Sequence, residues 1–274
     1  MASLHTHYSA HDIEARILTA LRTVGLDPEK GITPEQLGAL DHFHTGGFKA
    51  SRELQELAQI RAADLVLDIG AGLAGAARML AHAPGCRVDC VELTTDYCTG
   101  AKLLNRLTGL HDRIEIHQAS ALALPFSDDT FDVVWMQNVG MNIADKRTLY
   151  SEVCRVLKPG GRFAFQEMAA GSEEATYCYP LPWASVPADN NLITAIALHK
   201  ILGDCGLIAE IFEDASDMIL NSPPPVSSVP VIATPQPQLG LSVFVDNLAE
   251  KATNARRSLQ EGQTRFVRGV FRAQ

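Results

Sequence analysis

The chain reads as an α/β fold: a doubly wound, mostly parallel seven-stranded sheet with N-terminal helices and a cap insertion. Three observations predict this. The first is Val66–Leu80, VLDIGAGLAGAARML, a buried strand that breaks into a turn carrying Gly70, Gly72 and Gly75 and continues as a helix. Such a turn lets backbone N–H groups and a helix N-terminus approach a ligand closely. The second is the alternation of strand-like and helical patterns from Asp64 to Glu167. That alternation defines βαβ units with right-handed crossovers. The third is a pair of late strand-like runs, 207–214 and 264–272, which brings the strand count to seven.

Along the chain, residues 9–24 have helical periodicity in Ile13, Ile17, Leu18, Leu21 and Val24, with Ser9 as a candidate N-cap. Thr33-Pro34-Glu35-Gln36 is a second helix start, with Pro at the first helical position. The stretch 40–48 is non-periodic, and helix resumes from Ser51 to Ile60. Strands follow at 64–68, 87–92, 113–117, 131–136 and 161–167, with helices near 74–82, 95–108 and 145–157. Lys158-Pro159-Gly160-Gly161 stops the third of these helices and turns into the fifth strand. Residues 171–188 are rich in Pro, Tyr and Trp and read as a cap. Asp189 or Asn190 starts a helix to Cys205. The proline-rich run 221–239 reads as an irregular loop, and 243–261 as an amphipathic helix. The organisation expected is a helical cap over 1–60, then one α/β domain over 61–274 with lid segments near 171–200 and 218–240.

Composition narrows the partners. The 274 residues are 46% hydrophobic and 20% charged, an ordinary globular balance. A net charge of −9 argues against nucleic acid or an anionic membrane. No run approaches the ~18 apolar residues of a membrane span, and the polar N-terminus has no apolar leader core. A soluble, cytoplasmic protein with a small-molecule substrate is expected, with a homodimer left open. The six cysteines show no C-x-x-C pair and read as free thiols. His5, His7 and His11 lack a matching Cys or carboxylate set, so no metal is expected.

Gly70-x-Gly72-x-x-Gly75 matches a dinucleotide fingerprint, and Glu92, 20 residues after Gly72, stands where a ribose-binding acid belongs. Nicotinamide dinucleotides and S-adenosylmethionine both carry an adenosine ribose, so Glu92 does not separate them. Asp68 does: it would repel a pyrophosphate and suits a cofactor with an ammonium end.

Four blocks carry a resemblance: VLDIGAGLAGAARML, VDCVELTTDY, QASALALPFSDDTFDVVWMQNVGMNI and EVCRVLKPGGRFAFQE. In this order and spacing they resemble class I S-adenosylmethionine-dependent methyltransferases, particularly the branch with sarcosine/dimethylglycine-type N-methyltransferases. The resemblance covers about residues 40–214. It implies a Rossmann-like methyltransferase fold over 61–274, with an antiparallel strand pair at the sheet's end, and S-adenosylmethionine as cofactor. Position by position, it puts Asp68, Gly70 and Gly72 at the methionine side, Glu92 on the ribose and Leu93 on the adenine. Ser120 and Ala121 fall at the adenine edge, where relatives usually have Asp at the Ser120 position. Gln137 and Asn138 lie beside the methionine part.

Candidate acceptor-binding residues are Phe43, Asn138, Met141, Asn142, Tyr179 and Trp183, with His44 as a candidate general base. Each has a structural alternative: a polar capping loop for His42 and His44, helix capping for Asn142 or Asp145, and cap core for the aromatics. Glu167, at the end of the fifth strand, either orients a substrate or stabilises a turn. The expected reaction is methyl transfer to a small molecule, foremost an amine nitrogen. O- or C-methylation of an aromatic or natural-product intermediate is the alternative. An NAD-dependent oxidoreductase and a non-catalytic cofactor-binding protein are the rivals from other classes.

Overall fold

The computed structural model describes residues 12–42, 44–222, 244 and 247–274. Ser9, the three N-terminal histidines, Phe43 and most of the proline-rich loop and second lid segment lie outside them.

Three helices lead in: α1 (Ile13–Thr23), α2 (Pro34–Asp41) and α3 (Gly47–Leu57). The apolar face of α1 (Ile13, Ile17, Leu21) is buried. At the start of α2 the Thr33 N–H donates to Gln36 Oε1 at 2.9 Å, one half of a capping box. α3 begins four residues before the expected Ser51, because Gly46 adopts φ +85°, a left-handed entry that glycine makes without strain. The glycine pair that reads as a helix breaker is the entry turn.

The seven strands are β1 (Leu65–Ile69), β2 (Arg87–Glu92), β3 (Ile114–Gln118), β4 (Phe131–Gln137), β5 (Leu157–Ala170), β6 (Leu207–Asp214) and β7 (Thr264–Ala273). Their order is β3-β2-β1-β4-β5-β7-β6. β1 to β5 are parallel, and β7 is antiparallel to both β5 and β6. β6 therefore runs with the parallel set, and β7 alone is reversed. The expected antiparallel pair is present, set by one strand inserted between two parallel ones. β5 begins at Leu157, not 161. Its register with β4 jumps from Phe131↔Leu157 to Val133↔Arg162, so Lys158–Gly161 bulge out as the predicted turn.

The remaining helices are α4 (Gly75–His82), α5 (Thr95–Leu107), α6 (Lys146–Val156), α7 (Ala195–Asp204), α8 (Ser216–Leu220) and α9 (Leu248–Gln260). Side chains alternate across each strand. Val66, Val133 and Trp135 face α3, α4 and α5, whereas Leu67, Ile69, Val134 and Met136 face α6 and α7. Burial on both faces explains why β1 and β4 read as mostly apolar runs, interrupted by Asp68 and Asp132. The helix expected from Asp189 starts instead at Ala195. Pro187–Asp189 forms a separate 3₁₀ turn, and Thr194 caps α7 by accepting from the Ala197 N–H at 3.2 Å.

β1 pairs with β2 on one side and β4 on the other. The chain reverses its winding there, which opens a crevice at the carboxyl ends of these strands.

Candidate active site

The glycine turn sits at that crevice. Gly70, Gly72 and Ala74 have φ of +69°, +55° and +61°. A Cβ on Gly70 would overlap Val139, and one on Gly75 would lie 2.8 Å from His42 Nδ1. Glycine at these positions thus allows the β1 turn to touch both the turn after β4 and the segment before β1. The Gly70 and Ala71 N–H groups donate to the Val91 carbonyl at 2.8 and 3.2 Å. Gly72 N–H donates to Glu92 Oε2 at 2.9 Å, and Thr94 N–H to Oε1 at 2.8 Å. Two backbone donors thus plant the Glu92 carboxylate and leave each oxygen a free lone-pair direction.

Asp68 is 3% exposed and its Oδ2 has no hydrogen-bond partner. Burial, then the neighbouring Glu92 charge, pushes its pKa up to about 8. Asp68 is level with Trp135 on β4, so Gln137, two residues on, is its diagonal neighbour on the same face. Gln137 Oε1 accepts from Trp135 Nε1 at 2.9 Å and contacts Ser51 Oγ at 3.1 Å, which leaves its buried Nε2 unpaired.

Asn138 has φ +55°, a strained conformation for a non-glycine residue and one that concentrates at functional turns. Its Nδ2 donates to Thr45 Oγ1 at 3.3 Å and its buried Oδ1 is unpaired. Asn142 Nδ2 donates to the Asn138 carbonyl at 3.4 Å. Glu167 takes the turn-stabilising role. It accepts from the N–H groups of Val139, Gly140 and Met141 at 3.0, 2.7 and 3.2 Å. Burial raises its pKa against those donors. Asp145 caps α6 by accepting from the Thr148 N–H at 3.0 Å. Lys146, with its pKa brought down to about 8 by burial, donates to the carbonyls of Gly140, Ile143 and Asn191 at 2.5, 2.6 and 2.7 Å. It ties the β4 turn to the cap.

Asp41 and His42 pack against the glycine turn at Gly75, and Thr45 against the β4 turn at Asn138. His44 Nδ1 lies 3.2 Å from the Thr45 carbonyl and Nε2 2.9 Å from Ser51 Oγ. A carbonyl only accepts, so Nδ1 carries the proton, and Nε2 shares the single Ser51 hydroxyl hydrogen with Gln137 Oε1. Burial, then the neighbouring His42, pushes the His44 pKa down to about 3. Beneath it, His42 Nδ1 donates to Asp41 Oδ1 at 2.8 Å, and the fully buried Arg78 donates to Asp41 Oδ2 at 2.6 Å and Asn105 Oδ1 at 2.8 Å. Burial opposes the Asp41 charge, but Arg78 and His42 outweigh it and hold the carboxyl below the usual range.

Leu93 is 37% exposed beside the turn, an unusual setting for a large apolar side chain. Ser120 Oγ accepts from the Leu122 N–H at 3.2 Å, next to a half-buried Ala121. Trp183 is 3% exposed and packs with Met141, Met168 and Phe266. Its Nε1 donates to Asn190 Oδ1 at 3.1 Å, and Asn190 Nδ2 donates to the Tyr179 hydroxyl at 3.2 Å. Phe43 lies outside the described residues. Asp89, Glu115 and His117 form a possible ligand trio on β2 and β3, where His117 Nε2 lies 2.8 Å from Asp89 Oδ1.

Sequence reading missed Thr45, Ser51, Lys146 and the Asp41–Arg78 pair. One signal was available: Arg78 is the single charge in the apolar helix GAARMLAH, and such a charge is buried only with a partner.

Residues 67–165 match a family described as "Methyltransferase domain". A glycine/sarcosine/dimethylglycine N-methyltransferase of Actinopolyspora halophila is 38% identical over 117 residues, covering 42% of this chain and 21% of that protein. A dimethylglycine N-methyltransferase of Parasynechococcus marenigrum is 31% identical over 158 residues, covering 57% and 55%. The chain spans about half the length of the curated relatives it matches, or less. The solved geranyl diphosphate C-methyltransferase of Streptomyces coelicolor shares the fold, with TM-score 0.65 and 18% identity over 82% of this chain and 78% of that one. Residues 67–165 therefore carry the pattern of a methyltransferase domain, set in a Rossmann-like fold shared with solved methyltransferases. Solved neighbours on this fold are complexed with S-adenosylmethionine or S-adenosylhomocysteine.

Proposed function

We propose that the protein is an S-adenosylmethionine-dependent methyltransferase acting on a small molecule, with an amine nitrogen as the methyl acceptor. One observation carries the reading. Among the eight buried side-chain polar atoms without partners in the described residues, Asp68 Oδ2, Gln137 Nε2 and Asn138 Oδ1 stand together at the carboxyl ends of β1 and β4. Buried polar atoms in folded proteins are almost always paired. Asp68 Oδ2 and Asn138 Oδ1 would accept from the ammonium, and Gln137 Nε2 would donate to the carboxylate, of the cofactor's methionine end.

The residues present fit the rest of that cofactor. Glu92 would accept from the two ribose hydroxyls through its free lone pairs, and Leu93 would cover an adenine face. Ser120 and Ala121 would border the adenine edge. Gly70 and Gly72 would admit the ligand to the turn. When bound, the cofactor supplies an activated methyl group on sulfur. The chain contributes binding, alignment and exclusion of water. Thr45 and Asn138 hold the loop 44–47 against the strand ends, and Met141 and Met168 wall the space beside them.

Nitrogen is favoured by how the proton acceptors are committed. His44 has Nδ1 on the Thr45 carbonyl, Nε2 facing the Ser51 hydroxyl that Gln137 also draws on, and a pKa depressed by burial. Glu167 already serves three backbone donors. His42 Nε2 is unpaired, but His44 and Phe48 cover its ring edge-on at 5.4 and 5.2 Å. A neutral amine needs no protein base to attack, whereas a phenol or an activated carbon does. The support from relatives is the pair of N-methyltransferases named above.

Titration calorimetry with S-adenosylhomocysteine tests the cofactor assignment. A panel of amines, phenols and isoprenoids, followed by S-adenosylhomocysteine release, tests the acceptor. Turnover confined to phenols or isoprenoids would overturn the nitrogen assignment.

A further inference from the structure

We infer, building on the methyltransferase reading above, that the acceptor carries an uncharged apolar body and not the carboxylate of a small amino acid. The N-methyltransferases named above carry amino acids in their names, so this chain's pocket chemistry would differ from theirs.

The inference rests on two sets of contacts. First, the wall beside Thr45 and Asn138 is thioether and aromatic. Thr45 Oγ1 lies 3.7 Å from Met168 Sδ, and Asn138 Nδ2 lies 3.8 Å from Met141 Sδ. A Cβ on Gly46 would lie 3.7 Å from Met218 Cε and 3.2 Å from Ile219 Cδ1. Met141, Met168 and Trp183 belong to one apolar cluster, against which Tyr179 and Met218 pack. Methionine-lined surfaces adapt to varied apolar shapes.

Second, most cations on the bordering elements are committed elsewhere. Lys146 is saturated by three backbone carbonyls. Arg256 binds the carbonyls of Ile219, Leu220 and Ser222 at 3.4, 2.7 and 3.4 Å. Arg265 faces Asp214 at 3.4 Å, and Arg268 is held by Glu53 at 2.9 Å and Glu213 at 2.6 Å. Lys251 is buried on α9, one turn, about 6 Å, from Ala255, which packs against the same cluster, so Lys251→Met should leave the rejection of dimethylglycine unchanged. Segment 223–243 contains neither Lys nor Arg, so it adds no cation wherever it lies. An acceptor carboxylate brought to this wall would be desolvated against thioether and aromatic surface, which discriminates against it.

The test uses the full chain loaded with S-adenosylhomocysteine. Para-alkylated N-methylanilines, uncharged at neutral pH, are titrated with chains from methyl to octyl, alongside sarcosine and dimethylglycine. Affinity should rise by about fourfold per added methylene until the pocket is filled, and the two amino acids should not compete. Flat dependence on chain length, or tighter binding of dimethylglycine than of N-methylaniline, would overturn the inference. Met218→Lys should then admit dimethylglycine, and Met218→Leu should keep the apolar preference; identical behaviour of the two variants would count against the wall as the selecting element. A protein that binds no S-adenosylhomocysteine fails the methyltransferase reading itself, which separates that failure from rejection of the apolar series.

Discussion

At the residue scale, Asp68 combines burial, an orphaned oxygen and a pKa raised to about 8. In the unfolded chain the same carboxyl ionises near 4. A raised folded-state pKa means that its contribution to stability is fully present below pH ~4 and is lost as pH rises towards 8. Asp68→Asn removes that loss. Its melting temperature relative to wild type should climb between pH 5 and pH 8, while S-adenosylhomocysteine affinity falls; a constant offset across that range would show that Asp68 is ionised in the free protein. Glu92→Ala should weaken S-adenosylhomocysteine binding by about 1–3 kcal/mol, read by calorimetry. It also strips the Gly72 and Thr94 N–H groups of their acceptor, so a thermal melt must accompany it. Asp68 and Glu92 were legible in the sequence because each stands at a fixed offset from the glycine turn. Ser51 and Thr45 were not, because their roles depend on Gln137 and Asn138, which are 86 and 93 residues away in the chain.

At the element scale, one buried ammonium joins three pieces of irregular backbone. Lys146 opens α6, holds the 140–143 turn and reaches Asn191 in the cap. Lys146→Met keeps the stem and deletes the donors, which leaves three carbonyls to find water or stay unpaired. A loss of about 3 kcal/mol in chemical denaturation is expected. An unchanged midpoint would mean that the cap is not anchored there. The same elements show where pattern reading stops. β1 and β4 were readable because burial on both faces makes them almost continuously apolar, broken only by Asp68 in β1 and by Asp132 and Gln137 in β4. The cap was misread because Asp189, a good helix starter in isolation, is followed by an extended segment before Thr194 caps α7. The start of α3 was missed because glycine at 46 and 47 opposes helix propensity while supplying the left-handed entry.

At the scale of the whole molecule, the strand order selects one end of the sheet for ligand. The winding reverses between β1 and β4, so the glycine turn, the 137–142 turn and the 41–47 segment meet at the carboxyl ends. That order could not be read from the chain, because alternation of strand and helix fixes parallelism but not neighbours. A cavity of about 530 Å³ competes for attention at the opposite, amino-terminal end, lined by Asp64, Asp132, Arg162 and Arg272. Its charges are paired in Arg162–Asp64, Lys158–Asp132 and Arg272–Glu210 at 2.6, 2.8 and 2.6 Å. Paired charges leave little for a ligand to gain, whereas the crevice at the other end holds polar atoms with no partner. Hydrogen exchange read by mass spectrometry separates the two ends. With S-adenosylhomocysteine added, peptides covering 41–47, 68–75 and 137–142 should gain protection together, because one ligand would bridge three segments that now meet through a few contacts. Peptides covering 61–64 and 158–162 should not change. Protection centred on 158–162 would move the binding site to the amino-terminal cavity, and the three unpaired atoms at the crevice would then need another explanation.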